Sequence, residues 1–219
     1  MALTASAGGV SAKVNPHRPS WADMKLHYPG KNVSIDFLYN GKIKGQFTNM
    51  EQAAIYANTC AIRMSYALLR SGFALQRVKG SVLGGDNKWY WTTVVGLRAE
   101  LIKRFKGFDA ELKFDLLPQS AGSSSTKLRP FAAARRLKAQ QFLDAEMKGK
   151  KGIVAFRVSG WADATGHFTL WDGEKSELAY AKGHDDPRTD DYYFWLTTTD
   201  ALGLGALVQV TQIQFWELK

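Results

Sequence analysis

The sequence predicts an α+β fold, in which helices dominate the first half of the chain and antiparallel strands the second. Apolar residues follow helical spacing in the first half, and from Gly152 onwards they follow the spacing of strands. Asp172-Gly173 is a tight-turn pair between two of these strand segments and indicates a β-hairpin. With 219 residues and a 45% hydrophobic composition, the chain can bury a substantial core.

Start and stop signals predict the first two helices. Ser20 is a suitable N-cap for a helix that begins at Trp21. The pair Asn58-Thr59 is a second N-cap and predicts a helix from Cys60 to Arg70, which Gly72 would close. Both helices would therefore begin at a residue whose side chain favours a helix start.

A third helix is predicted from about Thr93, because Leu97, Leu101 and Phe105 would then lie on one face. The basic segment from Arg129 to Lys151 is interpreted as the solvated face of a further helix. Its buried side would be supplied by Phe131, Leu137, Phe142 and Met147.

Short apolar runs of strand type fill the second half of the chain. The predicted strand segments are residues 152–158, 166–171, 178–181, 207–210 and 213–216. Each run is too short for a typical helix and contains β-branched or aromatic residues, so an antiparallel sheet is expected.

Composition suggests how the chain is organised. Residues 1–19 are small and polar and contain proline, so we expect a flexible N-terminal arm. Residues 20–219 are expected to form a single domain, with a flexible loop near 118–127 where Ser, Gly and Pro leave almost nothing to bury. The segment 31–43 contains an Asn-Gly pair between short apolar runs and suits either a hairpin or a loop insertion.

The formal net charge of +9 and the pI near 9.6 favour polyanions as partners: nucleic acid, anionic lipid or acidic polymers of a cell wall. No window reaches the roughly 18 apolar residues that a membrane span needs, and the N-terminus lacks a signal-peptide pattern. We therefore expect a soluble cytosolic product, or one that leaves the cell by a route without a cleaved signal.

Cys60 is the single cysteine, so an intrachain disulfide is excluded. In the first turn of a helix, backbone N–H groups and the helix dipole stabilise a thiolate, and a nearby imidazole lowers the thiol pKa further. His17, His27 and His184 lie in arm or loop segments, whereas His167 begins a predicted strand. A strand-borne imidazole opposite a helix N-terminus can supply a base to a thiol.

These patterns alone leave two interpretations of Cys60 open. It is either a small hydrophobic residue of the core or a nucleophile that His167 serves. Other catalytic classes lack their motifs, since the sequence has no G-x-S-x-G, no H-E-x-x-H and no Walker-type loop. Cys and His are too few for a thiolate zinc site, and we expect neither a metal ion nor another cofactor.

Three segments resemble the fourth family of type VI secretion amidase effectors. They are NTCAIRMSYAL from Asn58 to Leu68, KKGIVAF from Lys150 to Phe156, and DATGHFTLWDG from Asp163 to Gly173. The cysteine motif precedes the histidine motif, as in that family. The resemblance extends over roughly residues 20–219 and leaves the N-terminal arm outside.

The resemblance implies a papain-like NlpC/P60 fold, with the nucleophile at a helix N-terminus in a helical N-terminal half that packs on an antiparallel sheet from the C-terminal half. It implies a cysteine peptidase that hydrolyses the D-glutamyl–meso-diaminopimelate bond of peptidoglycan stem peptides. The implied partners are the stem peptide, a cognate immunity protein and the type VI secretion apparatus, with no nucleic acid and no membrane insertion. The protein would be made in the bacterial cytoplasm, secreted without a signal peptide and active in the periplasm of a target cell.

The family motifs also imply catalytic roles. Cys60 takes the position of the nucleophile and His167 that of the base. In relatives an acidic residue after the histidine strand completes the triad, and Glu177 is the first candidate here, with Asp172 the second.

Three residues are candidates for substrate binding: Trp161, Trp171 and Arg63. For each tryptophan, packing in the core is an equal alternative, and for Arg63 the alternative is a solvated charge. Two other functions stay open at this stage. A papain-like acyltransferase or housekeeping wall hydrolase would keep Cys60 and His167, whereas a non-enzymatic basic module that binds polyanions would leave Cys60 inert.

Overall fold

The computed structural model describes residues 3–7, 10–14, 18–45, 58–162, 164–199 and 206–219. Within these residues, helices pack on both faces of a six-stranded sheet whose neighbouring strands are antiparallel. The predicted α+β class is confirmed. No helix in this described part of the chain is both long and apolar enough to cross a membrane.

The described residues form four α-helices and three shorter helical turns. The helices are α1 (Trp21–His27), α2 (Cys60–Arg70), α3 (Val94–Arg104) and α4 (Ser125–Phe142). Two turns are π-helical, Phe37–Ile43 and Leu143–Met147, and one is a 3-10 turn, Gln119–Ser123. The second π-helical turn continues directly from α4.

Ten strands are present in the same residues. They are β1 (Leu3–Ala7), β2 (Val10–Val14), β3 (Val82–Leu83), β4 (Trp89–Tyr90), β5 (Ala110–Lys113), β6 (Lys151–Ser159), β7 (Gly166–Asp172), β8 (Glu177–Leu178), β9 (Thr197–Thr199) and β10 (Leu207–Glu217). The main sheet has the order β5-β10-β6-β7-β8, and β9 also pairs with β10. The pairs β1–β2 and β3–β4 are separate two-stranded hairpins.

Both faces of the main sheet are covered. In β6, Ile153 and Ala155 belong to the core cluster of α1, α2 and α3, whereas Val154 and Phe156 belong to the cluster on the α4 side. Successive side chains of a strand point to opposite faces, so each strand contributes to both clusters. Every residue of β7 is buried, including the polar residues His167, Thr169 and Asp172.

The predicted helix starts and ends agree with the structure. The hydroxyl of Ser20 accepts a hydrogen bond from the backbone N–H of Asp23 at 3.1 Å, which caps α1. Gly72 follows α2 with a φ of +82°, a left-handed conformation that favours glycine at a helix end. In and just after α3, Leu97, Leu101 and Phe105 are buried as predicted.

The last strand is longer than the sequence predicts. Residues 207–210 and 213–216 were expected as separate strands, but they form one strand, β10. Its register against β6 shifts between Val210 and Gln212, which leaves Thr211 as the extra residue of a β-bulge. The bulge interrupts the alternation of buried side chains, and the sequence pattern therefore breaks there.

The structure differs from the prediction at residues 118–127. Instead of a flexible loop, these residues form the 3-10 turn and the first turn of α4. Ser124 caps α4 by accepting a hydrogen bond from the Lys127 backbone N–H at 3.3 Å. Ala121 and Leu128 form a small buried cluster with Leu207, so the segment has more to bury than its composition suggested.

Three other expectations also differ. Residues 37–43 are a π-helical turn and neither a hairpin nor a loop insertion, because Leu38, Tyr39 and Ile43 are buried in the core cluster around α2. Residues 3–14 of the predicted N-terminal arm contain the β1–β2 hairpin. The predicted strand 178–181 is shorter and is found as β8.

The basic segment forms a helix as expected, but with another buried face. Phe131 and Leu137 are 42% and 58% exposed, whereas Phe142 and Met147 are buried. The face that packs inwards instead contains Leu128, Ala132, Arg135, Ala139 and Phe142. These positions follow a three-to-four residue spacing that the basic residues obscure in the sequence.

Candidate active site

Cys60 is the first residue of α2 and lies where that helix meets β7. Its side chain is only 5% exposed, and burial raises the pKa of the thiol because a charged sulfur is disfavoured away from water. Backbone N–H groups of Phe168, Ala61 and Cys60 act in the opposite direction, since they stabilise the thiolate. The sulfur is therefore held protonated at rest, next to donors that would stabilise it once it loses its proton.

The residue before the cysteine does not cap the helix with its side chain. Thr59 instead accepts a hydrogen bond from Arg63 Nε at 2.8 Å and donates one to the Tyr180 hydroxyl at 3.3 Å. The N–H groups of the first turn of α2 are thus not occupied by the threonine oxygen. The backbone N–H groups of Cys60 and Ala61 can therefore donate to the sulfur of Cys60.

His167 lies near the start of β7, and its ring is fixed by a main-chain group. Its Nε2 atom is 2.7 Å from the carbonyl oxygen of Tyr180. A carbonyl oxygen can only accept, so Nε2 carries the proton in this tautomer. In the neutral ring, Nδ1 is then the nitrogen that can accept a proton.

The surroundings keep this imidazole neutral. The ring is 4% exposed and stacks on the ring of Tyr193, with centroids 4.3 Å apart and planes 13° apart. Burial lowers the pKa of His167 to about 3; the hydrogen bond to Tyr180 opposes that effect, and the charges of His184 and Arg63 add to it. At neutral pH His167 is an uncharged base.

Two cavities meet at Cys60. The smaller, of about 230 Å³, also contains His167 and is lined by Asn58, Thr59, Cys60, Trp161, Ala164, Gly166, His167, Tyr180, Lys182, His184 and Tyr193. The larger, of about 330 Å³, is lined by Asn58, Cys60, Thr92, Thr93, Val94, Trp161, Ala162, Ala164, Thr165 and Gly166. Because the two cavities share Cys60 and Trp161, together they form one cleft, and Cys60 lies in its wall.

The structure does not bring Glu177 or Asp172 to the imidazole. Both line a third cavity of about 200 Å³ at the other end of β7, where Asp172 Oδ2 lies 3.5 Å from Lys25 Nζ. Asp172 is five residues beyond His167 on one strand, which corresponds to about 17 Å. Glu177 pairs with Asp172 across the hairpin and is equally remote. The position expected for a carboxylate at Nε2 is taken by the Tyr180 carbonyl.

Arg63 was predicted to bind substrate, and this prediction is wrong. Its side chain is 2% exposed, and its guanidinium donates to the carbonyl oxygens of Pro29, Gly30 and Val33 at 2.7–2.9 Å. It also lies over the ring of Tyr180, 4.2 Å from the centroid. With these bonds and the one to Thr59, Arg63 ties residues 29–33 to the start of α2, and it lines neither cavity at Cys60.

The two tryptophans have different environments. Trp171 is buried, its indole N–H donates to the Met147 carbonyl at 3.0 Å, and its ring contacts Phe194 edge-on. It belongs to the core and not to the cleft, so the prediction of substrate binding is wrong for Trp171. Trp161 lines both cavities, with its ring 5.7 Å from that of His184. Of the two alternatives that the sequence left open for Trp161, cleft wall or core, the structure places it in the cleft wall.

The sequence analysis missed several residues of the cleft: Asn58, Tyr180, Lys182, His184 and Tyr193. Tyr180 could have been found from the hairpin register, because Trp171 pairs with Leu178 and the backbone N–H of Tyr180 bonds the side chain of Thr169. Tyr193 lies in a run of aromatic residues whose burial against His167 leaves no signal in sequence spacing.

The described residues of the structure contain no cluster of metal-binding side chains. Among the residues that the structure describes, no three His, Cys, Asp or Glu side chains come together as a metal ion would require. The reactive groups that the described residues bring to the cleft are the thiol of Cys60 and the neutral imidazole of His167.

Comparison with known proteins gives a family and a fold. A family model described as "Type VI secretion system (T6SS), amidase effector protein 4", Tae4, matches residues 56–216. A search of curated protein sequences gave no match. Among solved structures, a chain of the Tae4–Tai4 effector–immunity complex from Enterobacter cloacae is 24% identical, with a TM-score of 0.60, covering 92% of this chain and 99% of that one.

Two further solved structures are similar. Tae4 from Enterobacter cloacae is 24% identical, with a TM-score of 0.58, over 92% of this chain and 98% of that one. The Tae4/Tai4 effector–immunity system from Salmonella typhimurium gives 25% identity and a TM-score of 0.56, over 92% of this chain and 99% of that one. These likenesses establish the shared fold, and the family match spans well over half of the residues. The chain belongs to the type VI secretion amidase effectors of the fourth family.

Proposed function

We propose that this family member is a cysteine peptidase with a papain-like NlpC/P60 fold, which hydrolyses the D-glutamyl–meso-diaminopimelate bond of peptidoglycan stem peptides. Its family is one of antibacterial peptidoglycan amidases, and the cysteine mechanism and the particular bond are the added claims. One observation supports the cysteine mechanism: Cys60 at a helix N-terminus and His167 on a facing strand line the same cavity. The particular bond is proposed from the resemblance to the family.

The proposed reaction begins with an uncharged pair. Burial raises the pKa of Cys60 and lowers that of His167, so the thiol and the imidazole are both neutral before substrate binds. As the sulfur attacks the amide carbonyl, its proton passes to Nδ1 of His167, the nitrogen that the Tyr180 carbonyl leaves unprotonated. The sulfur and the carbonyl carbon form a bond, and the oxygen takes the negative charge.

Backbone donors at the start of α2 would stabilise that oxygen. The Cys60 N–H is placed for this role because Thr59 does not cap the helix with its side chain. The imidazolium then gives its proton to the departing amine of diaminopimelate, and a thioester remains on Cys60. Water attacks the thioester with His167 again acting as base, which releases the peptide and restores the thiol.

The family also suggests where the protein acts and what blocks it. Solved relatives are effector–immunity complexes of Tae4 with Tai4. By analogy, we propose that a cognate immunity protein covers the cleft, that the type VI apparatus delivers the protein, and that its target is the periplasm of another cell. Nucleic acid binding and membrane insertion form no part of this proposal.

The test is hydrolysis of purified sacculi and of the tripeptide L-Ala-γ-D-Glu-meso-diaminopimelate, with products identified by mass. Wild-type protein should release L-Ala-D-Glu and free diaminopimelate from the tripeptide. Cys60→Ala should release neither, while its unfolding transition stays close to that of the wild type. Cys60 is the single cysteine, so no other thiol can substitute for it.

The opposite results would refute the proposal. Equal cleavage by Cys60→Ala would exclude the thiol, and cleavage at another bond would change the substrate assignment. If neither protein cuts while DNA binding falls steeply with salt, the chain acts as a basic polyanion-binding module instead.

A further inference from the structure

We propose that Lys182 forms a carboxylate-binding subsite in the cleft, on the His167 side of Cys60. The inference deepens the proposed function and rests on it, because it names the chemical group of the stem peptide that this end of the cleft selects. The ligand is a substrate carboxylate on one of the two residues that the scissile amide joins, either the α-carboxylate of the D-glutamyl residue or the diaminopimelyl carboxylate beside the scissile nitrogen.

The two cavities that meet at Cys60 differ in charge. Apart from the two histidines, Lys182 is the one ionisable basic residue among the described residues that line the two cavities. It lines the smaller cavity and not the larger one. Neither lining includes a described Asp or Glu. Among the described residues, a carboxylate entering the smaller cavity therefore meets a cation and no like charge, whereas the described lining of the larger cavity has no charged side chain.

Lys182 is free to bind such a group. Its side chain is exposed, and no carboxylate of the described residues forms an ion pair with it. Nearby, His184 is held in place because its Nδ1 donates to the Asp191 carbonyl at 2.7 Å and its ring lies against Trp161. Lys182 therefore lines the same cavity as the fixed rings of His184 and Trp161.

The backbone connects Lys182 closely to the residue that orients His167. Tyr180, whose carbonyl fixes His167, is two residues before Lys182 on the same segment. A turn follows at once, in which the His184 N–H donates to the Ala181 carbonyl at 3.0 Å. Any group bound by Lys182 is therefore positioned relative to the imidazole by a short, hydrogen-bonded stretch of chain.

Lys182 lies in a turn with a left-handed backbone. Its φ is +39° and that of Gly183 is +87°, so both central residues of the turn are left-handed. Glycine adopts such angles without strain, whereas a lysine does so at a cost. Lys44 and Lys106 are also left-handed, with φ of +50° and +57°, so the argument for Lys182 rests on its place in the cleft and not on its backbone angle.

The experiment compares three synthetic tripeptides of L-Ala-γ-D-Glu-meso-diaminopimelate. One has both of these carboxylates free, one has the D-glutamyl α-carboxylate amidated, and one has the diaminopimelyl carboxylate beside the scissile nitrogen amidated. We expect one of the two amidations to lower the wild-type kcat/KM about tenfold, which identifies the carboxylate that binds. Lys182→Met should cut the parent peptide about tenfold more slowly and should not respond to that amidation.

Two more variants separate the ammonium from the shape of the turn. Lys182→Gly removes the ammonium and relieves the left-handed strain, so it should lose the carboxylate preference while its Tm stays equal to or above that of the wild type. Lys175→Met, at an exposed lysine of the third cavity, should keep the wild-type rate and preference.

The experiment separates failure of the Lys182 subsite from failure of the proposed peptidase function. If the wild type cuts the parent peptide but ignores both amidations, or if Lys182→Met or Lys182→Gly keeps the preference, the subsite is wrong and the peptidase stands. If the wild type cuts none of the three peptides, the proposed function fails and the subsite falls with it.

Discussion

The two ends of strand β7 use polar groups in opposite ways. At one end, His167 is buried and uncharged, and a main-chain carbonyl accepts its Nε2 proton. At the other end, Asp172 and Glu177 lie with Lys25 and Lys175 around a cavity where charge meets charge. The first end holds a neutral imidazole that can accept the proton of the Cys60 thiol. The second end holds the ion pair of Lys25 and Asp172.

This difference explains why the two acids chosen from the sequence, Glu177 and Asp172, do not lie beside the imidazole. Glu177 and Asp172 are close to His167 along the chain, but a strand separates residues five apart by about 17 Å. A carboxylate buried beside the imidazole would also carry a desolvation cost, whereas the Tyr180 carbonyl provides an acceptor without a net charge. The carbonyl orients the ring and raises its pKa, but burial outweighs this effect, and the pKa is lowered to about 3.

The largest expected effect is on catalysis at the His167 end. His167→Asn should lower kcat/KM for the tripeptide by about 10³- to 10⁴-fold, because the base is lost. Asp172→Asn and Glu177→Gln serve as controls from the other end and should stay within about twofold of the wild type. A loss in Glu177→Gln as deep as that in His167→Asn would restore the carboxylate triad.

Next in size is the contrast between the two tryptophans. Trp171→Ala should lower the free energy of unfolding by about 4 kcal/mol, since it leaves a cavity in the core. Trp161→Ala should change that free energy little and should raise KM, because Trp161 lines the cleft. Urea denaturation and steady-state kinetics measure the two effects, and the reverse pattern would exchange the two roles.

Arg63 provides a smaller effect on stability. Arg63→Met should destabilise the fold by about 3 kcal/mol, because it leaves buried carbonyl oxygens and Thr59 without their donor. Arg70, whose guanidinium pairs with Asp86 nearer the surface, is the matched control and should cost at most about 1 kcal/mol. Substrate binding by Arg63 would be supported if KM rose while urea denaturation stayed unchanged.

The smallest predicted effect is the pH dependence of stability. The pKa of His167 is lowered to about 3 in the folded protein, so between pH 3 and about 6.5 the unfolded chain binds more protons than the folded one. Stability from this group is complete above about pH 6.5 and falls on acidification, by about 2 kcal/mol at pH 5. His167→Asn should reduce this slope, and an unchanged slope would contradict a buried neutral imidazole.

Local sequence signals predicted the elements that carry the reacting groups. Ser20, the pair Asn58-Thr59 and Gly72 marked helix ends correctly, and the motif around His167 marked β7. These signals are set by the residues next to each other, so one sequence is enough to find them. The predicted catalytic roles of Cys60 and His167 stay predictions that the arrangement of the cleft supports.

Long-range packing decided what could not be predicted. The Tyr180 carbonyl belongs to the backbone, so no side-chain motif announces it. Arg63 looked like a surface cation, but its four bonds are made by folding against residues 29–33 and Thr59. Residues 37–43 follow their burial in the core and not the turn preference of their Asn-Gly pair.

The central claim is that Cys60 attacks the D-glutamyl carbonyl while His167 takes the proton. The most direct measurement is acid quenching of wild-type protein during turnover of the tripeptide, followed by mass analysis of its proteolytic fragments. The account predicts an L-Ala-D-Glu acyl group on the fragment that contains Cys60, absent from Cys60→Ala and strongly reduced in His167→Asn. Product formation with no acyl group on that fragment, or an acyl group on a different residue, would contradict it.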